Sequence, residues 1–143
     1  MRDWTPEHIA EAAGARLIAP APWDEGPDRV VVDSREAGPG ALFVGLAGEH
    51  EDGGAYAGQA LAQGAWGVLV TPEHADAART ARPGVLLSAT DPLAALGRLA
   101  NAWRRALGAV VIGVTGSTGK TSSFGHTYDR IVDHVRAVTL RGR

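Results

Sequence analysis

The chain has 143 residues, a length that suits one compact domain or one small domain followed by the start of another. Hydrophobic residues make up 45% and charged residues 21%, enough for a buried core, and a formal net charge of -2 leaves no basic field for nucleic acid. The absence of cysteine excludes a disulfide framework and any thiolate-held zinc or iron–sulfur centre, and no apolar run approaches a membrane span, so a cytoplasmic protein that binds neither nucleic acid nor membrane is expected.

Thr5-Pro6 opens a helix, with a hydroxyl at the N-cap and proline in the first helical position. Ile9, Ala12 and Ala13 share one face, and Gly14 stops it. Pro20, Pro22, Gly26 and Pro27 mark a loop. The β-branched run 30–32 predicts a strand that ends in Asp33-Ser34-Arg35. Gly38-Pro39-Gly40 makes a turn, 41–46 reads as a strand, and 47–54 as a polar loop. Residues 55–65 suit a helix with Tyr56, Ala60, Leu61 and Ala62 available for packing; 66–70 is a strand, 72–81 a short helix and 84–88 a strand. Asp91-Pro92 repeats the capping signal, and Leu93, Leu96, Leu99, Ala100, Trp103 and Leu107 follow at helical spacing as a core stripe closed by Gly108. Residues 109–114 form a continuous apolar strand of the kind buried in a parallel sheet. A glycine loop at 115–121 and a last helical stripe of Tyr128, Ile131, Val132, Val135 and Val138 complete the chain.

Alternating strands and helices argue an α/β fold. A soft boundary near 88–91 divides a small α/β domain (1–88) from a linker helix and the opening strand–loop–helix of a nucleotide-binding domain (89–143).

The strongest chemical signal is Thr115-Gly116-Ser117-Thr118-Gly119-Lys120-Thr121. Glycines let the backbone curl so that its N–H groups converge on phosphate oxygens, and a helix that follows presents its positive end to the same anion. Lys120 then reaches the β- and γ-phosphates of ATP, and the Thr121 hydroxyl ligates Mg2+. The general phosphate-loop pattern wants glycine six residues before the lysine, where this chain has Val114.

This loop resembles the shortened one of the Mur ligases and their folylpolyglutamate synthase relatives. Upstream, Val32-Asp33-Ser34-Arg35 followed by Pro39-Gly40-Ala41-Leu42-Phe43-Val44 is similar to a signature of that family, as are the loop 48–53, Gln63-Gly64-Ala65 and the run from Asp91 to Arg104. Ser117 is more like the MurF-type branch than the MurE-type branch. The resemblance covers roughly residues 4–121. It implies a small N-terminal UDP-binding α/β domain followed by the start of an ATP domain. It also implies an enzyme of cytoplasmic peptidoglycan synthesis that uses ATP and Mg2+ to activate the terminal carboxylate of a UDP-MurNAc-peptide as an acyl phosphate, which D-alanyl-D-alanine then attacks. By motif position, substrate binding falls on Val32, Ser34, Arg35, Glu49, His50 and Glu51. ATP binding falls on Thr115, Gly116, Ser117, Thr118, Gly119, Lys120 and Thr121, with Lys120 catalytic and Thr121 on the metal. A Ser hydroxyl can read uracil or diphosphate, and Arg35 can pair with phosphate. On the residues alone, Asp33-Ser34-Arg35 reads as a strand-end turn with a structural Arg–Asp pair.

Two departures accompany the resemblance. Gly54 stands where the family often has a basic residue after Asp-Gly, and the tail from Ser122 to Arg143 does not follow the family. A monomer without ligase activity of its own is expected, because phosphoryl transfer needs positioning groups beyond Lys120 and Thr121. The alternatives are a MurE-like ligase portion, a non-catalytic nucleotide-sugar binding module and, third, an unrelated small P-loop NTPase. His126 and His134, with Asp129 and Asp133, read as a solvated helix face rather than a metal site.

Overall fold

The computed structural model describes residues 1–81 and 83–108. The glycine loop 115–121, the strand before it and the helix expected after it lie outside the described residues. Met1–Gly108 forms one compact unit.

Its first helix, α1 (Pro6–Ala13), starts as expected: Thr5 accepts a hydrogen bond from the His8 N–H at 3.3 Å, and Gly14 ends the helix in the left-handed region at φ 61°. The next element, β1 (Arg16–Ala19), is not predicted by the sequence pattern between Gly14 and the proline loop. It is a four-residue edge strand whose partner lies about seventy residues away, so no local signal announces it. Three parallel strands follow the expected order: β2 (Arg29–Val31), β3 (Ala41–Val44) and β4 (Gly67–Val70). Between β3 and β4, the expected helix is a 3-10 turn over Gly53–Tyr56 that runs into the short α2 (Ala57–Ala62). Then come α3 (Pro72–Ala78), β5 (Val85–Ser88) and α4 (Pro92–Leu107), the last capped by the Asp91 carboxylate on the Ala94 N–H.

The five strands order as β1-β5-β4-β3-β2, parallel except for β1, which runs antiparallel to β5. Strands β3, β4 and β5 are buried on both faces, which explains their unbroken apolar runs. Leu42, Val44, Leu69 and Leu87 face α1 and α4, whereas Phe43, Val68, Val70 and Leu86 face α2 and α3. The result is a three-layer α/β/α unit.

The α4 stripe divides. Leu99 is buried with Ala95, and Trp103 packs edge-on to Trp4 with ring centroids 5.2 Å apart, but Leu93 and Leu107 are 63% and 59% exposed and Ala100 is exposed. Six apolar positions span more of the helix circumference than one contact with α1 can cover. Ala62 is likewise exposed, and Ala57 takes the buried place on α2. Helix α4, expected as a linker, belongs to the Met1–Gly108 unit and packs on α1.

Candidate functional site

Ligands of open parallel α/β sheets sit outside the carboxyl ends of the strands, where loops diverge and backbone polar groups are unpaired. At that edge β2 ends at Val31, and the chain turns through a 3-10 segment, Ser34–Glu36. β3 ends at Val44 and enters a small hairpin, in which Ala47 bridges Asp52 and the Gly48 N–H donates to the Glu51 carbonyl at 2.8 Å. Between these two loops lies an open cleft of about 650 Å³ lined by Val32, Ser34, Arg35, Glu51 and, among others, Phe43 and Tyr56.

Four of the six residues chosen for substrate binding therefore share one cavity. Glu49 and His50 do not line it; they stand exposed at the tip of the hairpin, while Glu51 at its base faces the cleft. Val32 lies just past the end of β2 and is 54% exposed, so it lines the cleft rather than filling the sheet.

The Ser34 turn is held from both sides. Asp33 accepts the Arg35 backbone N–H at 2.9 Å and the Arg35 guanidinium through Nε at 3.0 Å and Nη2 at 2.7 Å. The Arg35 side-chain hydrogen bond, and then its backbone N–H, hold the Asp33 carboxyl at about 2, well below its usual 3.8, and the carboxylate in turn raises the Arg35 pKa. The structural Arg–Asp pair is thus present, and the guanidinium fork expected on phosphate is turned onto Asp33. Among the described residues Nη1 has no hydrogen-bond partner, so its two N–H groups and the second one of Nη2 remain unused. From α2, the Gln63 amide, turned to satisfy its neighbours, donates to the Ser34 carbonyl at 3.0 Å and the Ala37 carbonyl and accepts from Gln59 at 3.2 Å. Gln59 itself lines the cleft.

Across the cavity the Tyr56 hydroxyl donates to Glu51 at 3.0 Å, and the carboxylate beside it raises the Tyr56 pKa. Behind this pair, Asp52 accepts the Gly54 N–H at 3.0 Å and lies 2.9 Å from His74 Nε2 on α3. The His74 bond is the first cause of a lowered Asp52 pKa. The departure at Gly54 has a steric reason: a Cβ there would lie 2.3 Å from His74 Cδ2, so the His74 ring fills the space a side chain would need.

The sequence reading missed Phe43, Leu46, Tyr56 and Gln59 as cleft residues and His74 as the support of the hairpin. Phe43 was legible as a strand residue and is 1% exposed, so it underlies the cavity from within the core. An apolar floor with a hydroxyl, a carboxylate and an amide around its rim suits a flat, partly apolar ligand with polar edges. Among the described residues no three His, Asp, Glu or Cys side chains group as metal ligands, and no helix is long and apolar enough to cross a membrane. Lys120, Thr121 and the rest of the ATP loop lie outside the described residues.

A family model described as "Mur ligase family, catalytic domain" matches residues 28–104, which include this cleft but not the glycine loop. The chain is 36% identical to the UDP-N-acetylmuramoyl-tripeptide–D-alanyl-D-alanine ligase of Mycobacterium leprae, over 86% of this chain and 28% of that protein. It is 47% identical to the UDP-N-acetylmuramoyl-L-alanyl-D-glutamate–2,6-diaminopimelate ligase of a Synechococcus strain, over 64% of this chain and 19% of that protein. Among solved structures, a UDP-N-acetylmuramoylalanyl-D-glutamyl-2,6-diaminopimelate–D-alanyl-D-alanyl ligase from Acinetobacter baumannii matches with a TM-score of 0.66 and 31% identity, over 83% of this chain and 26% of that one. The chain spans between about a fifth and somewhat over a quarter of the length of these relatives.

Proposed function

Because this chain belongs to the Mur ligase family, we propose that its first compact unit grips the uridine diphosphate end of a UDP-MurNAc-peptide in the cleft beside Ser34. The supporting observation is that Val32, Ser34, Arg35 and Glu51 line one cavity at the carboxyl ends of β2 and β3. Leu46 and Tyr56 give a planar base apolar contact, and the Ser34 hydroxyl, the Gln59 amide and the Glu51 carboxylate offer hydrogen bonds to its edges and to ribose hydroxyls. Arg35 meets a phosphate through Nη1 while Asp33 keeps the other side of its fork.

In the whole protein, acting in the cytoplasm, Thr115–Thr121 would cradle ATP, with Lys120 on its outer phosphates and Thr121 on Mg2+. Bound there, ATP supplies the phosphoryl group that activates the peptide carboxylate for attack by D-alanyl-D-alanine. The greater share of this chain matched by the Mycobacterium leprae relative favours D-alanyl-D-alanine as the incoming amine. A second reading, addition of a diamino acid to the dipeptide form, is favoured by the higher identity to the Synechococcus relative. Ligation assays offering D-alanyl-D-alanine with the tripeptide, or diaminopimelate with the dipeptide, separate the two.

Calorimetric titration with UDP-MurNAc-tripeptide tests the binding role. Ser34→Ala should raise the dissociation constant about tenfold, the effect of one lost hydrogen bond in a partly dry site. Lys120→Ala should leave it unchanged. Equal affinity in wild type and Ser34→Ala contradicts the assignment.

A further inference from the structure

A second groove lies on the same sheet edge, on the far side of α3 from the Ser34 cleft. Its volume is about 460 Å³, and its lining includes Arg16, Ile18, Asp76, Arg79, Ser88 and Thr90. We propose that it binds a small anion carrying a phosphate or carboxylate group.

The register between β1 and β5 builds it. Arg16 pairs with Ser88 and Leu17 with Leu87. Leu17 and Leu87 face α1 and α4, so alternation turns Arg16 and Ser88 to the opposite face, where Ile18 packs and α3 lies. Helix α3 forms the other wall through Asp76 and Arg79, the latter one residue past the helix end. Two guanidinium groups from elements distant in sequence thus border one cavity. The single carboxylate among the lining residues, Asp76, accepts from Arg79 Nε at 3.0 Å, which leaves the groove with an excess of one positive charge.

Ser88 adds a hydroxyl to the same cavity. It is the polar residue buried within the described core, 6% exposed, and that exposure opens onto the groove it lines. No buried side-chain polar atom among the described residues lacks a partner, so the Ser88 hydroxyl, which makes no hydrogen bond to the described residues, is open to the groove. A hydroxyl at the end of a buried strand that opens onto a groove is placed to donate to a ligand there. An oxyanion held between Arg16 and Arg79 gives the hydroxyl an acceptor, and Thr90 at the mouth supplies a further donor. Guarding an edge strand accounts for Arg16 alone. It does not account for Arg79 and the groove-facing Ser88 in the same cavity.

The test is an amide-shift titration of the full chain with inorganic phosphate, at constant ionic strength against chloride, with sodium acetate as a parallel arm. Saturable shifts at Arg16, Arg79, Ser88 and Thr90 are expected. Arg16→Gln and Arg79→Gln, both exposed and harmless to the fold, should each weaken phosphate binding about tenfold, and Ser88→Ala severalfold with an unchanged melting curve. Phosphate binding without acetate binding assigns a phosphorylated ligand; comparable binding of both assigns the shared oxyanion chemistry. Linear shifts matched by chloride, the absence of saturable shifts at these four residues whatever happens at Arg35 or at 115–121, or variants in which their shifts saturate as in wild type overturn the proposal. None of these outcomes depends on the nucleotide reading of the Ser34 cleft.

Discussion

His74 on α3 lies 2.9 Å from Asp52 at the base of the Ala47–Asp52 hairpin, so the loop that brings Glu51 to the cleft is tied to a helix twenty-two residues further on. The tie leaves no room at position 54, where Gly54 is buried against His74 and Gly45. Gly54→Ala should destabilise the unit by about 1–3 kcal/mol through overpacking. The double variant with His74→Ala should recover part of that loss in thermal melts. A Gly54→Ala protein as stable as wild type would show that the ring yields easily.

The same tie predicts a titration. His74→Ala removes the first cause of the lowered Asp52 pKa, so the carboxyl should move back up toward 3.8 in a carbon-detected pH titration. Asp33 gives the larger effect: it titrates at about 2, and Arg35→Ala should raise it toward 3.8. Because folding depresses both pKa values, the stabilisation they provide is present above pH ~4 and is lost as pH falls through the folded values. For Asp33 that window runs from about 4 down to about 2. Wild type should therefore lose order at the Ser34 turn across this range, and Asp33→Asn should have a flatter pH profile there.

Gln63 reaches two carbonyls, of Ser34 and Ala37, from the end of α2. Gln63→Ala should cost about 1 kcal/mol and also weaken binding of a UDP compound, because the turn that presents Ser34 loses its brace. Denaturant unfolding and calorimetry read the two effects separately. A loss of stability with no loss of affinity would assign Gln63 to the fold alone.

Arg98 on α4 donates Nε–H to the Ala13 carbonyl at 2.9 Å and covers Gly14, so that a Cβ at Gly14 would meet Nε at 2.8 Å. Arg98→Ala should destabilise the α1–α4 contact by about 1 kcal/mol, through both the bond and the packed stem. Hydrogen exchange in α1 should rise more than in β3, and uniform exchange changes would argue against a local lock.

Legibility in the sequence followed the range of the interaction. Thr5, Asp91, Gly14 and Gly108 act within one helical turn, and each begins or ends its helix where the residues predict. The parallel strands were legible because burial on both faces leaves unbroken apolar runs such as Ala41–Val44 and Val85–Ser88. Strand β1 was not, since Arg16 pairs with Ser88 and nothing near Arg16 encodes that. At the cleft, motif order picked out Val32, Ser34, Arg35 and Glu51, all of which line it. It could not separate Glu51 from its neighbours Glu49 and His50, because the backbone bond from Gly48 to Glu51 decides which of the three turns inward. Phe43, Tyr56 and Gln59 reach the cavity only through the stacking of β3, α2 and the Ser34 turn.

A crystal structure of the protein with UDP bears most directly on the cleft. The account predicts the nucleotide between β2 and β3 at their carboxyl ends, its base against Leu46 and Tyr56 and a polar atom within hydrogen-bond distance of the Ser34 hydroxyl. Nucleotide bound elsewhere on Met1–Gly108, with Ser34 and Glu51 untouched, would contradict it.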